Sequence, residues 1–191
     1  MTIYITSDTH FHHSNVLEFE DRPYESLEEM NKGLIDAWNS VVNKTDTVYM
    51  LGDFCFGKLE NWIDTLNQLR GKIILIKGNH DKDKIIKRVL NEGYIEELHN
   101  VGLMLKVDGF TLNLTHYPME IGNRPRNFSI HGHLHSNPSR MLNQVNVGVD
   151  SDLAKKLNKP FGTPITLDEL VVHLHEINPL VEEEFLKERG K

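Results

Sequence analysis

Residues 72–81 read Lys-Ile-Ile-Leu-Ile-Lys-Gly-Asn-His-Asp (KIILIKGNHD): an aliphatic run, a glycine, then an amide, an imidazole and a carboxylate in succession. Lys72–Ile76 has the length and β-branched content of a buried strand, and Asp81–Leu90 beyond it reads as a helix. The same order of parts occurs twice upstream. Ile3–Thr6 is followed by Asp8 and His10, and Thr47–Leu51 (TVYML) by Gly52-Asp53. Helical patterns lie between these runs. Ser26–Val42 sets Leu27, Met30, Leu34, Ile35, Trp38 and Val41 at spacings of three and four, behind a Ser26–Glu29 capping box. Leu59–Leu69 forms a second apolar stripe, stopped by Gly71. Strand, loop and helix in alternation predict parallel strands joined by right-handed helical crossovers.

After residue 95 the texture changes. Leu103–Val107 and Phe110–Leu114 flank Asp108-Gly109, the signal of a hairpin with a type I′ turn. Short strands are expected at Phe128–His131 and Gln144–Val149. A last helix is expected over Thr166–Ile177, with a Thr166–Glu169 capping box. No repeat or long linker interrupts the chain, so residues 1–191 read as a single α/β domain. Lys155–Pro164 is the most loop-like stretch. Residues from about 180 to 191, beyond Pro179, read as a solvated C-terminal tail or short helix.

Bulk properties narrow the function. A net charge of −7 argues against a sequence-independent grip on nucleic acid, which needs clustered Lys and Arg to displace counterions. It leaves room for a small phosphorylated ligand, because bound cations reverse a local field. One cysteine, Cys55, excludes a disulfide framework and a cysteine-based zinc finger. No apolar stretch has the length of a membrane span and the N-terminus carries no secretory pattern, so a cytoplasmic protein without a membrane partner is expected.

The outlying number is 11 histidines. Most fall, with Asp and Asn, just past an expected strand: Asp8 and His10, Asp53, Asn79-His80-Asp81, His116, and His131-Gly132-His133-Leu134-His135. In an open α/β sheet, ligands bind outside the carboxyl ends of the strands. These groups should therefore converge on one edge. Carboxylate, imidazole and amide oxygen suit Mn, Fe, Zn and similar divalent ions. They are too many for one four-coordinate zinc site, whereas two ions sharing a bridging carboxylate accommodate them. Gly52, Gly78 and Gly132 would let backbone approach the crowded centre or take positive φ. His99, His173 and His175 fall outside the pattern and read as surface or boundary residues.

Asp8-x-His10, Gly52-Asp53, Gly78-Asn79-His80-Asp81, His116 and Gly132-His133-x-His135 together resemble the five-part signature of the calcineurin-like metallophosphoesterases. SDTHFxHxN at the first motif, Arg22-Pro23, the helix start at Glu28–Asn31, and NVGVD at 146–150 resemble a compact bacterial and phage branch. The resemblance implies a four-layer α/β/β/α sandwich. It makes Asp8, His10 and His135 ligands of one divalent ion and Asn79, His116 and His133 ligands of a second, with Asp53 bridging. Manganese is the favoured ion, with iron, zinc, nickel or magnesium as alternatives. Paired divalent ions activate water and clamp phosphoryl oxygens. Asp53 and His80 would be the catalytic residues, His80 assisting the leaving group, while Asp81 is expected to cap the following helix.

One departure bears on substrate. Phosphoprotein phosphatases of the superfamily continue Gly-Asp-x-x-Asp-Arg-Gly, whereas this chain has Gly52-Asp53-Phe54-Cys55-Phe56-Gly57. Phe56 replaces the carboxylate that supports the catalytic histidine there, which favours the phosphodiesterase-like members. Cys55, between two phenylalanines, reads as a small hydrophobe. Arg22, Arg124 and Arg126 are candidate phosphate contacts, His13 and Asn15 candidate substrate contacts, and Tyr117 and Phe11 candidate stacking partners. His12 reads as a bystander. The expected activity is hydrolysis of a small nucleotide-like phosphodiester, with a phosphomonoesterase or pyrophosphohydrolase as the alternative. The rival from another class is a catalytically silent, protein-binding scaffold on the same fold, which should have lost ligands that this sequence retains.

Overall fold

The computed structural model describes residues 1–190. The first sheet has the order β4-β3-β2-β1-β9, formed by β1 (Ile3–Thr6), β2 (Thr47–Met50), β3 (Lys72–Ile76), β4 (Glu97–His99) and β9 (Ile165–Thr166). β1 to β4 are parallel, and only β9 runs antiparallel at the edge. Helices α2 (Leu27–Val41), α3 (Leu59–Gln68) and α4 (Asp83–Asn91) are the crossovers. Their apolar stripes bury Met30, Leu34, Trp38, Trp62, Ile86 and Val89 against Val48, Met50, Ile73 and Leu75 of one sheet face. A short α1 (Val16–Phe19) precedes α2.

The second sheet has the order β5-β6-β7-β8, from β5 (Gly102–Val107), β6 (Phe110–Thr115), β7 (Asn127–His131) and β8 (Gln144–Asn146). β5 and β6 form the expected hairpin, with Asp108 and Gly109 both at positive φ as a type I′ turn requires. Alternation along β6 points Phe110, Leu112 and Leu114 inward, where they meet Ile5, Leu51 and Ile76 of the first sheet. Helices α5 (Asp152–Lys156) and α6 (Leu167–Glu188) complete the flanks, and Leu170, Leu174 and Val181 of α6 enter this inter-sheet core. The result is the expected α/β sandwich, two sheets flanked by helices.

Two local expectations change. Ser26 accepts from the Glu29 amide, but the Glu29 carboxylate reaches back to the Glu25 amide, so the box at α2 is only half closed. The box at Thr166 and Glu169 closes in both directions. The larger change is at the C-terminus. Residues beyond Pro179 continue α6 to Glu188 and are not a tail. Pro179 removes one main-chain bond, yet Val181 is fully buried and Asn178 and Glu188 bond Arg126 and Asn123. Burial of the following turn outweighs the lost bond.

Val181→Ala should therefore cost about 1–3 kcal/mol, read as a shift of the urea midpoint. A solvated tail would give no shift.

Candidate metal centre

The strands' carboxyl ends meet because their loops are tied by main-chain hydrogen bonds. Residues 8–11 run beside 52–56: the amides of Asp8, His10 and Phe11 donate to the carbonyls of Gly52, Asp53 and Phe54, and Phe56 donates back to Phe11. Val149 donates to Ser7, which joins the end of β1 to the segment after β8 in the other sheet. Gly132 donates to His116. All five sequence motifs are thereby gathered at one edge.

Close approach dictates the glycines. A Cβ on Gly132 would lie 2.0 Å from Ser7 Oγ and 2.2 Å from Asp8 Oδ2, and one on Gly78 would lie 2.2 Å from Asp53 Oδ1. The side-chain-bearing residues are held in unfavourable backbone instead. Asp8, His10, Asp53, His133 and His135 all have φ between 50° and 67°. Such left-handed conformations cost on the order of 1 kcal/mol or more each. They persist because the loops around them are over-determined by hydrogen bonds.

Asp53 is at the middle. Its Oδ2 lies 3.5 Å from His116 Nε2, 3.7 Å from His10 Nε2 and 3.9 Å from His80 Nε2. Its Oδ1 accepts the His80 amide at 2.8 Å. On one side Asp8 Oδ1 lies 3.9 Å from His10 Nε2 and 4.0 Å from His135 Nε2. On the other, His116 Nε2 faces Asn79 Oδ1 at 2.8 Å, with the His133 ring 5.1 Å from that of His116. The structure brings together all seven side chains of the expected ligand set.

The residues fit a pair of cations on two observations. Asp8 Oδ1 and both ring nitrogens of His10 are buried without a hydrogen-bond partner, an arrangement that is costly unless something else satisfies them. His116 Nδ1 donates to the Leu51 carbonyl, which leaves the Nε2 lone pair directed at the Asn79 oxygen. Two lone pairs at that distance repel, and one cation accepts both.

Electrostatics agree. Burial pushes the Asp8 carboxyl up to about 7. Burial pulls His10, His116 and His133 below the ordinary imidazole value, as neutral ligands require. His135 differs. Burial lowers it, but the Asp150 hydrogen bond and the Asp8, Asp150 and Glu20 carboxylates outweigh that and raise its pKa.

Several candidate residues are placed differently from expectation. Arg22 is turned inward, 4% exposed, with Nε and Nη2 on the two Asp150 oxygens at 3.0 and 2.8 Å. Its Nη1 donates to the Thr9 carbonyl and Met30 Sδ and its Nη2 to the Asp8 carbonyl, so no donor is left to face a substrate phosphate at the mouth of the site. Arg124 and Arg126 lie on the outer side of the second sheet, beside Met104, Thr111 and Phe185, away from the cluster. Asn15 is exposed at the start of α1 and touches Ser14. His13 does reach the cluster, 5.3 Å from the His10 ring, and stacks on Phe56. Phe11 is buried in the helical-side core and cannot stack on a ligand, whereas exposed Tyr117 packs against the His133 ring at 4.5 Å.

Asp81 does not cap α4, whose N-cap is Lys82. Its buried carboxylate accepts the amides of Asp53, Phe54 and Gly78, tying the second motif to the third. His12 is a structural tie: it bonds Thr65, Asn31 and Asn61 at positive φ. His131 is buried with both nitrogens engaged by Gly132 and Ser139. Cys55 is a buried core residue whose thiol pKa burial raises.

Asp150 is the residue that sequence reasoning missed. Its Oδ2 accepts from His135 Nδ1 at 3.1 Å while Arg22 donates to both carboxylate oxygens. This fixes the His135 tautomer and leaves Nε2 free to face Asp8. The available signal was position, since Asp150 ends the Gln144–Val149 run as Asp8, Asp53 and Asn79 end theirs.

The comparisons with known proteins agree with this geometry. The calcineurin-like phosphoesterase family matches residues 1–187. An uncharacterized protein of Methanocaldococcus jannaschii is 39% identical over 139 residues, covering 71% of this chain and 70% of its own length. The gene 66 protein of Mycobacterium phage L5 is 29% identical over 208 residues, covering 91% and 95%. The crystal structure of a protein of unknown function from Aquifex aeolicus superposes with a TM-score of 0.65 at 26% identity, over 88% of this chain and 97% of that one. Fold and site define a metal-dependent phosphoric ester hydrolase. The chain belongs to the calcineurin-like phosphoesterases.

Asp150→Asn should weaken one of two divalent-ion binding events by about 10- to 100-fold and spare the other, as read by calorimetric titration of the apoprotein. Ion affinity should also fall as pH drops from 8 to 6. Protonated Asp8 competes with a cation below its pKa of about 7 and does not compete above it.

Proposed function

We propose that this protein hydrolyses a phosphodiester of a small, nucleotide-like substrate, using two divalent ions with manganese favoured. The carrying observation is the position of Asp53 Oδ2, within 3.9 Å of His10, His116 and His80 and so at the junction of both halves of the cluster. Asp8, His10 and His135 would hold one ion, Asn79, His116 and His133 the other, and Asp53 would join them. Two such ions supply a lowered water pKa and neutralise phosphoryl charge.

The chain's own residues do the rest. Neutral His10, His116 and His133 leave lone pairs turned inward, and Arg22 and Asp150 hold His135 and the Asp8 backbone in place. The His80 side chain is 47% exposed, beside the likewise exposed Asn79, while its main chain is pinned to Asp53. It can face a leaving oxygen, deliver a proton there, and exchange it with solvent.

Phe56 in place of the phosphatase carboxylate supports a diester over a monoester, and charge argues against a pyrophosphate. The cleft beside His80 is lined by His10, His13, Val16, Phe19, Glu20, Phe56 and His135, with no lysine or arginine. The ions would meet the charge of a phosphoester bound at them, whereas such a wall offers no countercharge to a second phosphate beyond them. The same reading keeps the reaction in the cytoplasm, in line with one unpaired cysteine. No helix among the described residues is long and apolar enough to cross a membrane.

A manganese-supplemented screen of aryl and alkyl phosphomonoesters and phosphodiesters should find diester turnover in excess. Excess monoester turnover would favour the phosphatase alternative, and no turnover with both ions bound would favour the scaffold. Asp53→Asn should abolish turnover with little change in fold by circular dichroism. His80→Ala should cut kcat by about 10²- to 10⁴-fold while ion stoichiometry stays the same.

A further inference from the structure

Next to the metal cluster lies a cleft of about 370 Å³ whose far wall is apolar, within the size range of small-ligand sites. Phe56 forms its floor. The His13 ring lies flat on Phe56, with centroids 3.9 Å apart and planes 4° from parallel. The His80 ring stands 5.0 Å from Phe56, tilted 41° to it. At the mouth is Phe19, the last residue of α1, with 72% of its surface exposed. Val16, one turn earlier, is buried beneath it.

Phe19 is the one exposed phenylalanine among the described residues, and it borders the cleft beside His80. Its helix is four residues long and has no side-chain N-cap. Core burial comes from Val16, so Phe19 contributes little to holding the helix. The polar group at the rim is Glu20, whose carboxylate accepts from the Ser136 amide. Cationic side chains are absent from the lining.

Building on the phosphodiester reading above, we propose that His13, Phe56 and Phe19 form a subsite for a planar, uncharged ring carried by the phosphoester, a nucleobase or an aryl group. The chemistry discriminates among occupants. A second phosphate or a carboxylate would meet Glu20 with no countercharge. A cation would meet Glu20 but would also lie beside the positive field of two ions. A neutral ring buries apolar area against Phe19 and the stacked His13–Phe56 pair. Phe56 replaces a carboxylate found in protein phosphatases of the superfamily, and here that position supplies an aromatic ring that backs the His13 ring.

The test is binding of phosphonates, which are not turned over, to the manganese-loaded protein by calorimetry. Phenylphosphonate should bind on the order of tenfold more tightly than methylphosphonate, the increment typical of one stacked ring. Phe19→Ala and Phe56→Ala should each bring that ratio toward one without weakening methylphosphonate. A wild-type ratio near one overturns the subsite, as does a ratio that both variants preserve. Phe19 is exposed, so its variant stays informative even if Phe56→Ala misfolds. A ratio near one with diester turnover intact removes only the subsite. Failure of both phosphonates to bind, with no turnover of any ester, removes the phosphodiester reading and the subsite with it.

Discussion

Three carboxylates, Asp8, Asp53 and Asp81, are each no more than 2% exposed and lie at one edge of the fold. How their charge is compensated governs the surrounding architecture. Ionised carboxylates in a low-dielectric setting are expensive unless paired or hydrogen-bonded. Asp81 is met by three main-chain amides, although burial still pushes it up to about 6. Asp8 receives one amide, from His133, and Asp53 one, from His80. The lone buried arginine among the described residues, Arg22, is committed to Asp150. The remaining negative charge faces the neutral imidazoles of His10, His116 and His133, an arrangement that a divalent cation pair would stabilise.

That arrangement constrains the backbone. Each carboxylate has an amide contact that crosses between loops: Asp81 to the second motif, Asp53 to the third, Asp8 to the fifth. The same side chains that would hold ions therefore fasten the loops that present them. Left-handed φ at five of these residues and close approach at Gly78 and Gly132 are the local cost. The parallel strands beneath, buried on both faces by helices and by the second sheet, are the rigid base against which this strain is held.

The Arg22–Asp150 pair extends the scheme one layer outward. It connects residues 128 apart in sequence, one before α2 and one after β8, and touches both Asp8 and His135. Removing one partner would leave an uncompensated buried charge, so the pair acts as a unit. It explains why an arginine that looks suited to substrate phosphate is instead part of the support.

The sequence by itself determined the order of elements, the hairpin turn and the residue types at strand ends, because these depend on periodicity, turn chemistry and local capping. It also put the strand-end Asp, Asn and His residues at one edge, since a strand's carboxyl end is a position that can be counted, while the choice of seven ligands among them came from the family resemblance. What followed from distance in space was decided only by the tertiary structure. Arg22 turned inward because its partner, Asp150, comes from the other sheet. Asp81 became a loop tie because the amides it accepts from Asp53 and Phe54 lie a strand away. The turn beyond Pro179 stayed helical because Val181 reaches the inter-sheet core. Phe56 became a stacking face because His13 and His80 flank it. In each case the deciding partner lies on another element, and local pattern carries no information about which element that is.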